Sequence, residues 1–299
     1  MNDKWSLDAL LARYELHPEF KEIYVEGEGD IGVYQLFLDE MGRRDVLVYP
    51  ITSVSIPPDP ADQLKLPQLD VDSRRSDVIS LALVFETKSP DLEHIVTCIA
   101  DADTQHILPE SFVTRFLLFT DYTSLESYGY RGDFITRMVR IGSPNLKVRG
   151  EHVLEEMTGI LEILFSFRVA NHQLRWGLKW ISPEKNFSYQ NSKLTFDETT
   201  YLKKYLNANG KSCSTAEFRS AVGELRATFR SDHRMQIRGH DFIELLTWYL
   251  RKRSYRAFQK FSAEVVRHNL LSQLRTDDLV SEGLFAALLS KYPASDVSS

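Results

Sequence analysis

The chain reads as an α/β protein: a mostly parallel sheet flanked by helices, followed by a mainly α-helical second half. Three observations carry that expectation. Up to about residue 148, short apolar runs alternate with helical periodicity, the pattern of helices layered on a parallel sheet. Beyond that point long helical periods take over. The 299 residues, 43% of them hydrophobic, suffice for a core in each of two domains, placed at 1–148 and 149–299, with the boundary in "GSPNLKVRGE".

The elements follow in order. An amphipathic helix carries Leu7, Leu10, Leu11 and Tyr14. Strands are predicted at 22–27, 46–56, 95–103 and 116–122, with helices near 30–42, 76–88 and 123–129. The stretch "PPDPADQLKLPQLDVDSRR" is a loop by its proline and aspartate content. In the second half "EHVLEEMTGILEILFSFRVANHQLRW" is helical, as is the region from Thr215 almost to Tyr292, with a strand-like interruption at "FSYQNSKLTFD". No internal repeat or heptad array is present, and "PASDVSS" reads as a frayed tail.

Composition narrows the function classes. A formal net charge of -6 gives no broad cationic field, so contact with nucleic acid must use a local basic surface. Cys98 and Cys213 lack a C-x-x-C or Cys/His neighbour, which points to reduced thiols rather than a zinc site or a disulfide framework. The N-terminus has no apolar signal core, and no run reaches the roughly 18 apolar residues of a membrane span. The expectation is a soluble, cytoplasmic protein.

In "IYVEGEGDIG" Gly27, Gly29 and Gly32 spell G-x-G-x-x-G after an apolar strand. A dinucleotide site would place a pyrophosphate there and an acid at the end of the second strand. That strand instead runs into Pro50, Ile51 and Thr52, while Glu26, Glu28 and Asp30 sit among the glycines. Two like charges 4 Å apart repel by about 4 kcal/mol at an effective dielectric near 20, so this loop opposes a phosphate. "NANGKS" lacks the leading glycine of a phosphate-binding loop, since Tyr205 occupies that position.

The third strand ends in "ADAD". Strand alternation puts Asp101 and Asp103 on one side, about 6.6 Å apart, at the carboxyl edge where open α/β sheets bind ligands. Glu26 ends its own strand and joins them when the first and third strands are neighbours. Hard oxygen donors without His or Cys favour Mg²⁺ or Mn²⁺. Asp30 reads as a helix cap rather than a ligand. Glu126 either ligates a second ion or pairs with an arginine.

E-G-x-x-D after strand one and D-x-D after strand three together resemble the TOPRIM fold of topoisomerases, primases and OLD-like nucleases. "FTDYTSLESYGY", with Ser124, Glu126 and Tyr128, and "RGHDFIELLTWYLR" are similar to stretches of the TOPRIM effector nucleases of PARIS-type anti-phage defence systems. The resemblance implies a metal-dependent endonuclease using Glu26, Asp101, Asp103 and Glu126 for metal ligation and catalysis, with Glu26 as general acid/base or second-metal ligand. It further implies an AriA-like ATPase partner that holds the effector inactive, release by a phage trigger protein, action as a homodimer, and growth arrest by cleavage of host tRNA. The alternatives are a DNA nuclease and a catalytically inactive TOPRIM-like interaction module. His240 and Asp241 precede an amphipathic helix and read as a structural residue and its N-cap. The acid-free run holding Arg251, Lys252, Arg253, Arg256 and Lys260 is either a solvated helix face or the surface that meets phosphates.

Overall fold

The computed structural model describes residues 4–56, 73–108, 114–142, 147–253 and 258–293. Contacts gather into two compact units. One comprises residues 1–102, 111–121 and 274–299; the other comprises 103–110 and 122–273. A single cut after residue 148 therefore gives way to a division in which both units are discontinuous in sequence. No helix among the described residues is long and apolar enough to cross a membrane.

The first unit is α/β. It contains β1 (Trp5–Ser6), α1 (Leu7–Leu16), β2 (Lys21–Val25), α2 (Glu28–Glu40), β3 (Val46–Pro50), β4 (Val54–Ser55), α3 (Arg74–Lys88), β5 (Val96–Ala100) and β6 (Leu117–Phe119). Its main sheet has the order β3-β2-β5-β6, and every neighbouring pair is parallel. All five residues of β5 are buried, as expected of a strand covered on both faces. The core packs Leu10 and Tyr14 of α1 and Val78, Ile79 and Phe85 of α3 against Val96, Cys98 and Phe116. Burial pushes the Cys98 thiol well above its usual range, so it is an inert apolar group.

The predicted strand 46–56 is interrupted by a 3-10 turn at Ile51–Ser53, and 95–103 ends at Ala100. Glu22, fully buried on β2, is a charge that only pairing makes tolerable. It accepts from Tyr14 at 2.5 Å, Tyr24 at 2.7 Å and Arg13 at 2.9 Å. Burial above all, and the Glu22 carboxylate with it, push both phenols well above their usual range; Tyr24 adds to the rise at Tyr14, whereas the Tyr14 hydrogen bond opposes it at Tyr24.

The second unit is built mainly from helices: α4 (Gly132–Gly142), α5 (Gly150–Gln173), α6 (Glu198–Ala208), α7 (Thr215–Arg226), α8 (Gly239–Arg253) and α9 (Ala263–Leu271). The interruption at "FSYQNSKLTF" is a hairpin of β7 (Phe187–Gln190) and β8 (Lys193–Phe196), turned by Asn191 and Ser192 at φ 51° and 60°. Gly132 and Gly150 allow α4 to meet the start of α5, because a Cβ on Gly150 would run into the Gly132 carbonyl oxygen. Asp241 lies inside α8 rather than capping it. Its carboxylate, 2% exposed, takes both arms of Arg168 from α5 at 2.7 and 2.8 Å.

The helical periodicity from Thr215 to Tyr292 breaks into separate helices. The last two, α10 (Thr276–Leu279) and α11 (Gly283–Lys291), belong to the first unit. There Asp121 accepts the Leu284 N–H at the start of α11, Phe285 stacks on Tyr34 and meets Phe37 of α2 edge-on, and the Tyr292 hydroxyl meets Thr97 of β5 at 2.7 Å.

Candidate carboxylate site

β2 and β5 are adjacent and parallel, with Val25 opposite Ile99, so both chains leave the sheet at the same edge. The next residue after β2 is Glu26, and the next after β5 is Asp101. Glu26 Oε1 accepts the Asp101 N–H at 2.8 Å. Position along the two strands thus brings these residues together across 75 positions of sequence.

The glycine loop serves the same edge. Gly27 is the N-cap of α2, in extended backbone, and its N–H donates to Asp30 Oδ2 at 3.0 Å. Asp30 is therefore a helix cap, satisfying a donor that a helix start leaves open. Its charge also suits the positive end of the helix dipole. A Cβ on Gly27 would lie 3.0 Å from that carboxylate, so a larger residue would press on the cap.

Asp101 and Asp103 do not share a strand face. Asp101 lies just past the strand end, and Asp103 has φ 47°, the left-handed region. The chain turns between them, so pleat alternation does not set their spacing. The Asp101 carbonyl accepts from Arg75 Nε of α3 at 2.9 Å, and the Ala102 N–H donates to Thr120 Oγ1 at 2.9 Å. Sequence reasoning missed Arg75 and Thr120, since nothing local marks either as a tether of this turn. Asp103 and Glu126 fall in the second unit. There the Asp103 N–H donates to the Thr123 carbonyl at 2.8 Å.

Glu126 is held by an arginine. Arg267 Nε of α9 donates to Glu126 Oε1 at 2.5 Å, with the two side chains 19% and 14% exposed. Burial alone would raise the carboxyl; the Arg267 guanidinium and the Ser124 hydroxyl outweigh it and keep Glu126 below the usual carboxylate range. The motif that supplied Glu126 packs on the later glycine of "RGHD". A Cβ on Gly239 would strike Ser124 Oγ and come within 2.6 Å of Glu126 Oε2, and Thr123 Oγ1 bonds the Ile237 carbonyl. His240 pairs at 3.0 Å with Glu244 one turn on, which raises its pKa.

The basic run is partly committed to its own unit. Arg251 donates to the Phe261 carbonyl at 3.0 and 2.5 Å, and Arg253 donates to the Tyr249 hydroxyl at 2.9 Å. The Lys252 ammonium lies over the Trp248 ring at 5.6 Å, and Lys260 is exposed. Arg256 lies outside the described residues.

Among the described residues no three His, Cys, Asp or Glu side chains form a group that could hold an ion. Two carboxylates with the remaining positions left to water and substrate is the pattern Mg²⁺ uses, whereas a full protein cage is not. Glu26 and Asp101, hard donors at one sheet edge, fit that smaller donor set. No protein-family model matches the chain, and no curated protein matches it.

Proposed function

We propose that the chain is a metal-dependent nuclease of the TOPRIM type, acting on phosphodiesters at the sheet edge that carries Glu26 and Asp101. The single observation that supports this reading most is the 2.8 Å contact from Glu26 to the Asp101 backbone, which places two acids at adjacent parallel strand ends.

Glu26 and Asp101 would hold Mg²⁺ or Mn²⁺. When bound, such an ion polarises the phosphate and lowers the pKa of a coordinated water. Glu26 takes the proton from the attacking water or delivers one to the leaving oxygen. Asp101 would add negative charge beside the cation, and the Arg75 tether keeps the Asp101 backbone in place. The Glu126–Arg267 pair serves a structural role.

The resemblance to AriB-type effectors of PARIS systems extends the proposal. On that reading the substrate is host tRNA, an AriA-like ATPase restrains the enzyme until a phage protein frees it, and the active species is a cytoplasmic homodimer. The test is cleavage of tRNA, other RNA and DNA in Mg²⁺ by the chain and by its Glu26→Ala and Asp101→Ala variants. Loss of cutting in both variants is expected. Undiminished cutting by either refutes the site, and no cutting by the unaltered chain on any substrate favours an interaction module.

A further inference from the structure

β3 lies at one end of the main sheet, and among the described residues no strand pairs with its outer side. Alternation sends the backbone groups of Val46, Val48 and Pro50 outward and those of Leu47 and Tyr49 toward β2. Each outward N–H is either used or absent. The Val46 N–H donates to the Arg43 carbonyl at 3.1 Å. The Val48 N–H donates to Gln35 Oε1 of α2 at 3.0 Å. Pro50 has no N–H to offer.

Gln35 does more than accept. Its Nε2 donates to the Val46 carbonyl at 3.1 Å, so one carboxamide straddles Leu47 as a residue of a neighbouring strand would. The same Nε2 donates to Asp39 Oδ1 at 3.0 Å, one helical turn on, which fixes the direction of the amide. The segment needs such cover. Leu36 and Leu47 are 55% and 43% exposed, and an open edge beside apolar side chains recruits further chains.

We propose that Gln35 is an edge guard: its amide stands in for a missing strand on β3 and keeps a second copy of this chain from pairing there. The assignment is independent of the nuclease reading. A partner strand would have to displace both Gln35 bonds and would still find no donor at Pro50. Self-association of the native chain therefore uses surfaces other than this edge.

Amide hydrogen exchange and sedimentation on the full chain test it. In the unaltered protein the Val48 amide is protected. Gln35→Ala raises its exchange roughly tenfold and gives a mass that climbs with concentration beyond the native species. Adding Leu47→Lys, a charge at an exposed position, returns the mass to the native value while Val48 still exchanges fast. Gln35→Asn, a methylene too short to span both groups, behaves as the alanine variant and stands in for it should that variant not fold. An unprotected Val48 amide in the native protein overturns the proposal. So do Gln35→Ala and Gln35→Asn chains that keep the native mass at every concentration.

Discussion

Glu26 Oε1 lies 2.8 Å from the backbone nitrogen of Asp101, joining the ends of two neighbouring parallel strands through a carboxylate. That contact makes Glu26 an acceptor for the sheet edge, a duty separable from the catalytic charge proposed for it. Glu26→Gln keeps an oxygen for the Asp101 N–H and removes the charge. Its thermal midpoint should match the unaltered chain, while Mg²⁺-dependent cleavage falls by about 100-fold or more. Glu26→Ala loses both, lowering the midpoint as well. Differential scanning calorimetry beside a cleavage assay reads the split.

Gly239 makes room for Glu126 and Ser124. Gly239→Ala forces a methyl group into that contact and should cost about 1–3 kcal/mol, the usual range for overpacking. Urea unfolding measures it. Arg267→Met leaves Glu126 buried without its cation, so the Glu126 carboxyl, now low, should titrate upward by carbonyl-labelled NMR.

The Arg168–Asp241 pair ties α5 to α8. Asp241→Ala strands the Arg168 guanidinium, only 21% exposed, and empties a buried position, so it should destabilise by about 3 kcal/mol, whereas a surface pair is worth under about 1 kcal/mol. His240→Ala, which removes the exposed partner of Glu244, provides the comparison within the same helix. Equal losses for the two variants would contradict the burial difference.

Lys291 donates to the carbonyls of Val96 and Arg115 at 2.9 and 3.2 Å. Burial pushes its pKa down to about 8, from 10.5, despite the nearby Cys98 and Glu93. Between those values the unfolded chain binds more protons than the folded one, so this group makes stability rise with pH from 8 toward 10. Cys98, whose thiol burial holds well above its usual range, acts with the opposite sign, so the check is the difference: chemical denaturation along that pH range should give a more positive stability slope for the native protein than for Lys291→Met.

Much of the α/β half was legible because parallel strands buried on both faces read as short apolar runs, β5 most clearly. The approach of Glu26 to Asp101 was legible for a related reason: strand ends are marked by where apolar runs stop. The strand-face argument for Asp101 and Asp103 failed because a left-handed residue just past a strand leaves no periodic trace. Asp241 was misread as a cap since its partner, Arg168, lies 73 residues away. Glu126 remained open between metal and arginine until tertiary structure supplied Arg267. The return of α10 and α11 to the first unit was invisible for the same reason, as helical periodicity states that a face is buried without stating against what.

That return orders the making of the protein. A ribosome delivers β2, α2 and β5 long before it delivers Phe285 and Tyr292, which close over α2 and β5. During synthesis the sheet edge bearing Glu26 waits, incompletely clamped, while the whole second unit emerges and folds. A nascent chain stalled short of α11 would therefore carry every acid of the proposed site on a scaffold not yet locked.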